Sequence, residues 1–300
     1  AAGSTVINEG KITGNQLKNV GMAGNASTVT NKNTITLEGK SSTGIFGENN
    51  STLLNDTTGN ITVKEEASVG IFSKSNTNKA ENKGTILTEK KKSAGMFGSK
   101  GELENTNSIT TTEEESAGMY VEHSKATNKK TILIEGKASA GIYAKLSEAT
   151  GGTALGANQG TDAVITMKKE GSAGMLGEVK STVATGTATT LTLTNSGNIT
   201  VNAAYGLGIY ATGAASTVTS SKNITLIGDE VIAAFGTNNS NMVSSGPIRV
   251  GGKNSIGILG LSYRIDPSTG LAIDPSNEPY FKSAVHPENF GKIDIMNLPW

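Results

Sequence analysis

Ten isoleucines, Ile12, Ile35, Ile61, Ile86, Ile109, Ile132, Ile165, Ile199, Ile224 and Ile248, are each followed nine residues later by a glycine, with Ala233 standing in once. No insertion ever enters that interval. It is therefore one structural unit repeated along the chain, and a repeat of this kind governs the fold before any local motif does. The glycine sits in a short signature, Ser93-Ala94-Gly95-Met96-Phe97, with relatives at 42–46, 68–72, 116–120, 139–143, 172–176 and 255–259. Looser copies occupy 206–210 and 231–235, and a degenerate one surrounds Gly21.

The interval from each glycine to the next isoleucine behaves differently. It is 14 residues from Gly21, Gly95 and Gly118, but 24 from Gly141, 25 from Gly174 and 36 from Gly257. All length variation thus lies on one side of the repeat. Within it a third short strand recurs, as in Ser4-Thr5-Val6-Ile7-Asn8 and Ser27-Thr28-Val29-Thr30-Asn31. Four residues before the isoleucine stands Asn (8, 31, 82, 105, 128, 195, 289) or else Thr57, Thr161, Ser220 or Ser244. Two before it stands Gly10, Gly59, Gly84, Gly197, Gly246 or Gly291 in most copies, the residue expected where a backbone turns through positive φ.

Each rung of 23 to 26 residues therefore holds three strands of four to six residues, separated by Gly/Asn turns. The Ile-Thr-Leu and Ile-Thr-Val triplets alternate with period two, and no segment shows the 3.6-residue period of a helix. The expected fold is all-β: a right-handed parallel β-helix in which each strand pairs with its equivalent one rung away. Composition agrees, since 38 glycines, 35% hydrophobic and 4% aromatic residues suit a thin stacked core better than a ball. Residues 1–260 form the rungs, with side excursions at 146–160 and 178–190. Residues 261–289 form a projecting loop, and 290–300 begin a further rung. The chain opens on a third strand and stops two residues before the glycine expected after Ile293, so it reads as a segment of a longer solenoid without polar caps.

Strict alternation places Ala94 and Met96 on one face of their strand, taken as inward, and Ser93, Gly95 and Phe97 on the other. The aromatic column Phe46, Phe72, Phe97, Tyr120, Tyr143, Tyr210 and Phe235 then has two readings. Either the chain turns at the ring and tucks it back over the core, the favoured reading, or the rings form an exposed stripe on which a sugar or protein could lie. Glu65-Glu66, Lys90-Lys91-Lys92 and Glu113-Glu114-Glu115 occupy equivalent turns and read as a solvated ladder of cross-rung pairs. The asparagine column reads as an amide ladder.

Several functions are disfavoured. The net charge is zero and Arg249 and Arg264 are the only arginines, which leaves no footprint for nucleic acid. Without cysteine there is no disulfide, thiolate site or thiol redox role. No apolar run reaches the roughly 20 residues of a membrane helix, and no signal peptide opens the chain. His123 and His286 are the only histidines, and no nucleophile motif accompanies them, which argues against a serine hydrolase. Scattered aspartates make a polysaccharide lyase the weak enzymatic alternative. No cofactor or metal is expected; Asp266, Asp274 and Glu278 match no recognised calcium loop.

Asp266-Pro267-Ser268 and Asp274-Pro275-Ser276 form tandem turns that suggest a hairpin-like loop. Tyr263, Arg264, Asp266, Asp274, Tyr280 and Phe281, with Lys145 and Glu148 from the earlier excursion, are the candidate partner-binding residues.

The combination of Asn-x-Gly-x-Ile, as at 82–86, with Ser-[Ala/Val]-Gly-[Ile/Met]-[Phe/Tyr] in Lys-, Asn- and Thr-rich rungs resembles the passenger domains of large fusobacterial type V autotransporter adhesins. The resemblance covers nearly the whole chain. It implies a monomeric passenger, not itself membrane-inserted, anchored in the outer membrane through a C-terminal barrel absent from this sequence. It also implies a protein or glycan on other bacteria or on host cells as partner, and coaggregation as an activity. Only the structural motifs match, so no binding residue carries over.

Overall fold

The computed structural model describes residues 3–75, 77–146, 152–179, 189–213, 216–237 and 240–261, and the pairs 264–265 and 272–273. Among these there is no helix. Thirty strands form three ten-stranded sheets in which every pairing is parallel and every strand pairs with its equivalents in adjacent rungs. The first sheet starts at Thr5–Asn8, the second at Ile12–Gly14 and the third at Val20–Asn25, and the cycle then repeats. At about 4.8 Å per rung, ten strands make a column roughly 45 Å long. This is a parallel β-solenoid with three strands to the rung.

Its inner core is a set of vertical stacks. Ile35, Ile61, Ile86, Ile109, Ile132, Ile165, Ile199 and Ile224 are all buried in the second sheet, facing Leu53, Leu103 and Leu193 of the first and Ile45, Ile71, Met96 and Met119 of the third. The nine-residue spacing has a physical cause. A Cβ at Gly95 would lie 2.7 Å from the carbonyl oxygen of Gly118 in the next rung and would strike Ile109 Cγ2. Gly70, Gly118 and Gly141 repeat that relation with their own neighbours. The isoleucine and the glycine of successive rungs fit into one another, so an insertion between them would break both stacks.

Alternation fails at that glycine. The ladder pairs Ala94 with Ala117 and Met96 with Met119 but skips the glycines between them. Both Gly95 and Met96 therefore face the inner core, while Ala94 joins Phe97 on the outer face. The expectation that Ala94 and Met96 share a face is corrected: a local irregularity of bulge type, possible because glycine leaves its space to Ile109, resets the period. Ala94, Phe97, Ala117, Tyr120, Ala140, Tyr143, Leu176 and Phe235 belong to a second buried cluster, separate from the inner one.

The positive-φ expectation is also corrected. Gly10, Gly59, Gly84, Gly197 and Gly246 do not have positive φ. Gly59, Gly84 and Gly197 are small because they lie close to the asparagine row: a Cβ at Gly84 would come within 2.8 Å of Asn55 Nδ2 and 2.5 Å of the Asp56 oxygen. A column of left-handed residues stands elsewhere, just before signature serines: Ser41 (φ 54°), Ala67 (56°), Lys92 (59°), Glu115 (55°) and Ala138 (49°). Such a conformation costs a non-glycine residue about 1–2 kcal/mol. The cost is offset because the turned N–H donates to the following rung, as Ala67 N does to the Lys91 oxygen at 3.1 Å and Glu115 N to the Lys137 oxygen at 3.1 Å.

Within the first excursion, Gly152–Asn158 is a strand of the first sheet, paired with Thr189–Asn195. Only 147–151 of the proposed 146–160 excursion lies outside the described residues, because the rung resumes earlier than the spacing suggested. Arg264–Ile265 and Ala272–Ile273 form an antiparallel pair within the expected projecting loop.

Candidate functional surfaces

Three rows of side chains organise the surface and corners of the solenoid. The first is the asparagine row at the corner between the first and second sheets. Asn8 Nδ2 donates to Asn31 Oδ1 at 2.7 Å, and the chain of amides continues through Asn55, Asn82, Asn105, Asn128, Asn158 and Asn195 at 2.8–2.9 Å, ending on Ser220 Oγ at 3.1 Å. Every member from Asn31 to Asn195 is fully buried. Thr57 and Thr161 are not in the row; Asn55 and Asn158 are. Strand register aligns Asn55 with Asn31 and Asn82, and the extra residues of those rungs are accommodated after the asparagine. Constant distance from the isoleucine was the wrong guide, because the amide chain fixes the ladder.

A second row is the signature serine. The backbone N–H of Ser42 donates to Ser68 Oγ at 3.1 Å, Ser68 to Ser93 at 3.3 Å, Ser93 to Ser116 at 3.3 Å and Ser116 to Ser139 at 3.0 Å. Each hydroxyl in turn donates to the carbonyl two residues before it, as Ser139 Oγ does to Lys137 O at 2.9 Å. These serines are buried and tie down the corner between the second and third sheets. Their invariance in the signature was the signal for this role, which the sequence reading did not assign.

The third row is the aromatic column. Ring centroids of Phe72 and Phe97, Phe97 and Tyr120, and Tyr120 and Tyr143 are 4.7, 5.0 and 4.9 Å apart, and Tyr210 stacks on Phe235 at 5.0 Å. Phe97, Tyr120, Tyr143 and Phe235 are buried, and Phe46, Phe72 and Tyr210 are half-buried. The column is neither an open stripe nor a cap tucked over the inner core: it stacks on the outer face of the third sheet, in the second cluster. Beside it run Glu122, Lys145 and Glu178, aligned in successive strands. Tyr120 Oη donates to Glu122 Oε1 at 2.6 Å and Tyr143 Oη to Glu178 Oε2 at 2.6 Å. Burial first, and the Glu122 contact second, hold the Tyr120 hydroxyl protonated well above its usual range. The Lys145 side chain is only 13% exposed and lies 3.9 Å from Glu122, so this partner-binding candidate belongs to the ring cluster and not to a presented loop. Glu148, Tyr263, Asp266, Asp274, Glu278, Tyr280, Phe281 and His286 lie outside the described residues, and of Arg264 the structure describes only the strand it belongs to.

No group of three or more His, Asp or Glu is arranged to hold a metal among the described residues. No described helix is long and apolar enough to cross a membrane. The surface otherwise carries cross-rung ion pairs, among them Lys64–Glu38 at 2.8 Å, Lys168–Glu135 at 2.7 Å and Lys130–Asp162 at 2.7 Å. Hydrogen bonding from the lysine is the main cause that lowers the carboxyl pKa of Glu38 and Asp162.

Fold and rows together define the class of the described residues, a laddered parallel β-solenoid. No protein-family model, curated protein or solved structure matches the chain.

Proposed function

We propose that this chain is a rigid stalk segment of a surface-displayed bacterial adhesin, non-enzymatic, whose side excursions engage a protein or glycan on other bacteria or on host cells. One observation carries the reading. The inner stacks and the amide row run on unbroken past each change in rung length, and the serine row runs through the first of them to Ser172. The chain between Leu146 and Gly152, and between Val179 and Thr189, enters at one corner and leaves the ladder intact. A scaffold built this way tolerates variation at that corner without cost to its core, as a display device requires. The fusobacterial autotransporter resemblance supplies the setting: a barrel anchor and display at the outer membrane.

The burial of Lys145 and of the central rings favours a second reading, a spacer with adhesion carried elsewhere in a longer protein. Binding of the purified chain to bacterial and epithelial cells separates the two. Adhesion should be saturable and should fall when 147–151 and 180–188 are each replaced by short Gly/Ser linkers, with the β circular-dichroism spectrum unchanged. Absence of binding by the intact chain would reject the adhesive role, and binding that survives both replacements would reject the excursions as its seat.

A further inference from the structure

The corner between the second and third sheets carries exposed charge in an alternating pattern. Rung-to-rung backbone hydrogen bonds align its columns. Immediately before the left-handed residue the column reads Lys40, Glu66, Lys91, Glu114, Lys137, Glu170. One residue earlier it reads Gly39, Glu65, Lys90, Glu113, Gly136, Lys169, and two earlier Glu38, Lys64, Glu89, Thr112, Glu135, Lys168. Sign alternates strictly from rung to rung in the central column; in the other two it is interrupted by neutral residues, and Lys169 stands where alternation would place an acid. Some of these charges pair within the chain: Lys40 with Glu66, Lys64 with Glu38 at 2.8 Å, Lys137 with Glu114 at 3.4 Å and Lys168 with Glu135 at 2.7 Å. Lys90, Lys91, Glu113, Lys169 and Glu170 make no ion pair among the described residues. Several of them line an open hollow of about 630 Å³ on this edge, together with Glu114, Lys137 and Lys168.

We propose that this corner is an isologous interface for a second copy of the chain, packed antiparallel about a two-fold axis between the rung of Lys91 and the rung of Glu114. The argument is charge complementarity: among two-fold axes placed between rungs, this one opposes the largest number of unlike charges. With the axis there, Lys91 faces the partner's Glu114, Glu66 its Lys137 and Lys40 its Glu170. In the other columns Lys90 faces Glu113, Lys64 faces Glu135 and Glu38 faces Lys168. These six pairings are each made twice by symmetry, and none brings like charges together. An axis passing through a rung would oppose residues two or four rungs apart, which in the central column always carry the same sign. A parallel arrangement in register would oppose each residue of the central column to itself. Isologous contact is the commonest way for identical chains to associate, and charge complementarity of this kind sets register. The proposal replaces the monomer expected from the sequence and does not depend on the adhesive reading.

Sedimentation velocity on the full 300-residue chain tests it. A dimer is expected at an ionic strength of about 10 mM, where charges interact over ~30 Å, and a monomer at about 1 M, where the range is ~3 Å. Lys91→Glu alone and Glu114→Lys alone should each be monomeric at low salt, with an unchanged circular-dichroism spectrum. Mixing the two variants should restore a dimer, because each substituted position then meets an opposite charge on the other copy. Damage within one chain could not be repaired by mixing, so the mixture distinguishes an interface from a stability effect. A chain that stays monomeric at low salt, a dimer indifferent to both substitutions, or a mixture that remains monomeric would each overturn the proposal.

Discussion

The corner between the first and second sheets and the corner between the second and third carry the two most regular polar rows in the molecule, and they obey opposite rules. The buried row repeats one residue type: seven successive asparagines from Asn8 to Asn158 pass hydrogen bonds to the next, and Asn195 ends the series. The exposed row never repeats a charge in adjacent rungs of its central column from Lys40 to Glu170. The difference follows from the groups. An amide carries both a donor and an acceptor, so it is its own complement and stacks indefinitely. An ammonium or a carboxylate meets its like with repulsion and must alternate. Burial separates the rows further, because an unpaired buried amide is costly whereas an exposed charge can always turn to water.

The sharpest way to break the comparison is to put a charge into the buried row. Asn105 Nδ2 donates to Asn128 Oδ1 at 2.8 Å and to the carbonyls of Asn107 at 3.1 Å and Thr131 at 3.2 Å. Asn105→Asp removes that donor and faces a carboxylate with three acceptors at a fully buried site. A loss of about 3–5 kcal/mol is expected in urea unfolding at neutral pH. Burial and the surrounding acceptors raise the folded pKa of such a group above its unfolded value, so the stability contributed by its protonated form is present below about pH 4 and lost as pH rises. The deficit against the parent should therefore shrink on acidification. Asn105→Ala is milder, leaving Asn82 Nδ2 with the Ser108 carbonyl but without its shorter bond to Asn105, and should cost about 2–3 kcal/mol.

Thr88 and Thr111 sharpen the point with a smaller effect of opposite sign. They are buried, paired in register, and flanked by Val63 and Ile134 in the same column, yet their hydroxyls have no hydrogen-bond partner. They are a buried polar pair whose hydroxyls, although able to donate and accept, do not reach one another. Thr111→Val keeps the volume and should stabilise the chain by about 1 kcal/mol, read as a rise in the urea midpoint at unchanged slope.

The same contrast explains what could be read from the sequence. The three-strand rung was legible because it rests on residue identity at constant spacing, and Gly95 against Ile109 leaves no freedom in that spacing, whereas the amide row was legible only where its asparagines keep that spacing. The left-handed column was not, because its members are Ser, Ala, Lys and Glu, types that do not mark such a conformation; an inter-rung hydrogen bond, visible only in three dimensions, holds them there. Asn55 and Asn158 escaped because register follows the amide chain and not the count of residues to the isoleucine. Lys145 was placed on a loop because nothing in its local sequence says that the strand Ala140–Leu146 runs on past it into the ring cluster.

The smallest effect should come from the exposed row. Lys64→Met removes a half-exposed pair with Glu38, and neutral loss of one surface partner changes stability little. Its diagnostic is dependence on conditions. The hydrogen bond from Lys64 lowers the Glu38 carboxyl pKa, and the same bond raises the Lys64 pKa. The carboxylate's share is present above its unfolded pKa and lost as pH falls through the folded one; the ammonium's is present below its unfolded pKa and lost as pH rises through the folded one. The small thermal penalty of Lys64→Met should thus be confined to the window between roughly pH 5 and pH 10 and vanish at about 1 M salt. If the penalty instead rivals that of Asn105→Ala and ignores salt, the exposed row is structural in the same sense as the buried one. Alternation at the charged corner would then have to be explained by folding of the single chain, and the case for a second copy at that edge would weaken with it.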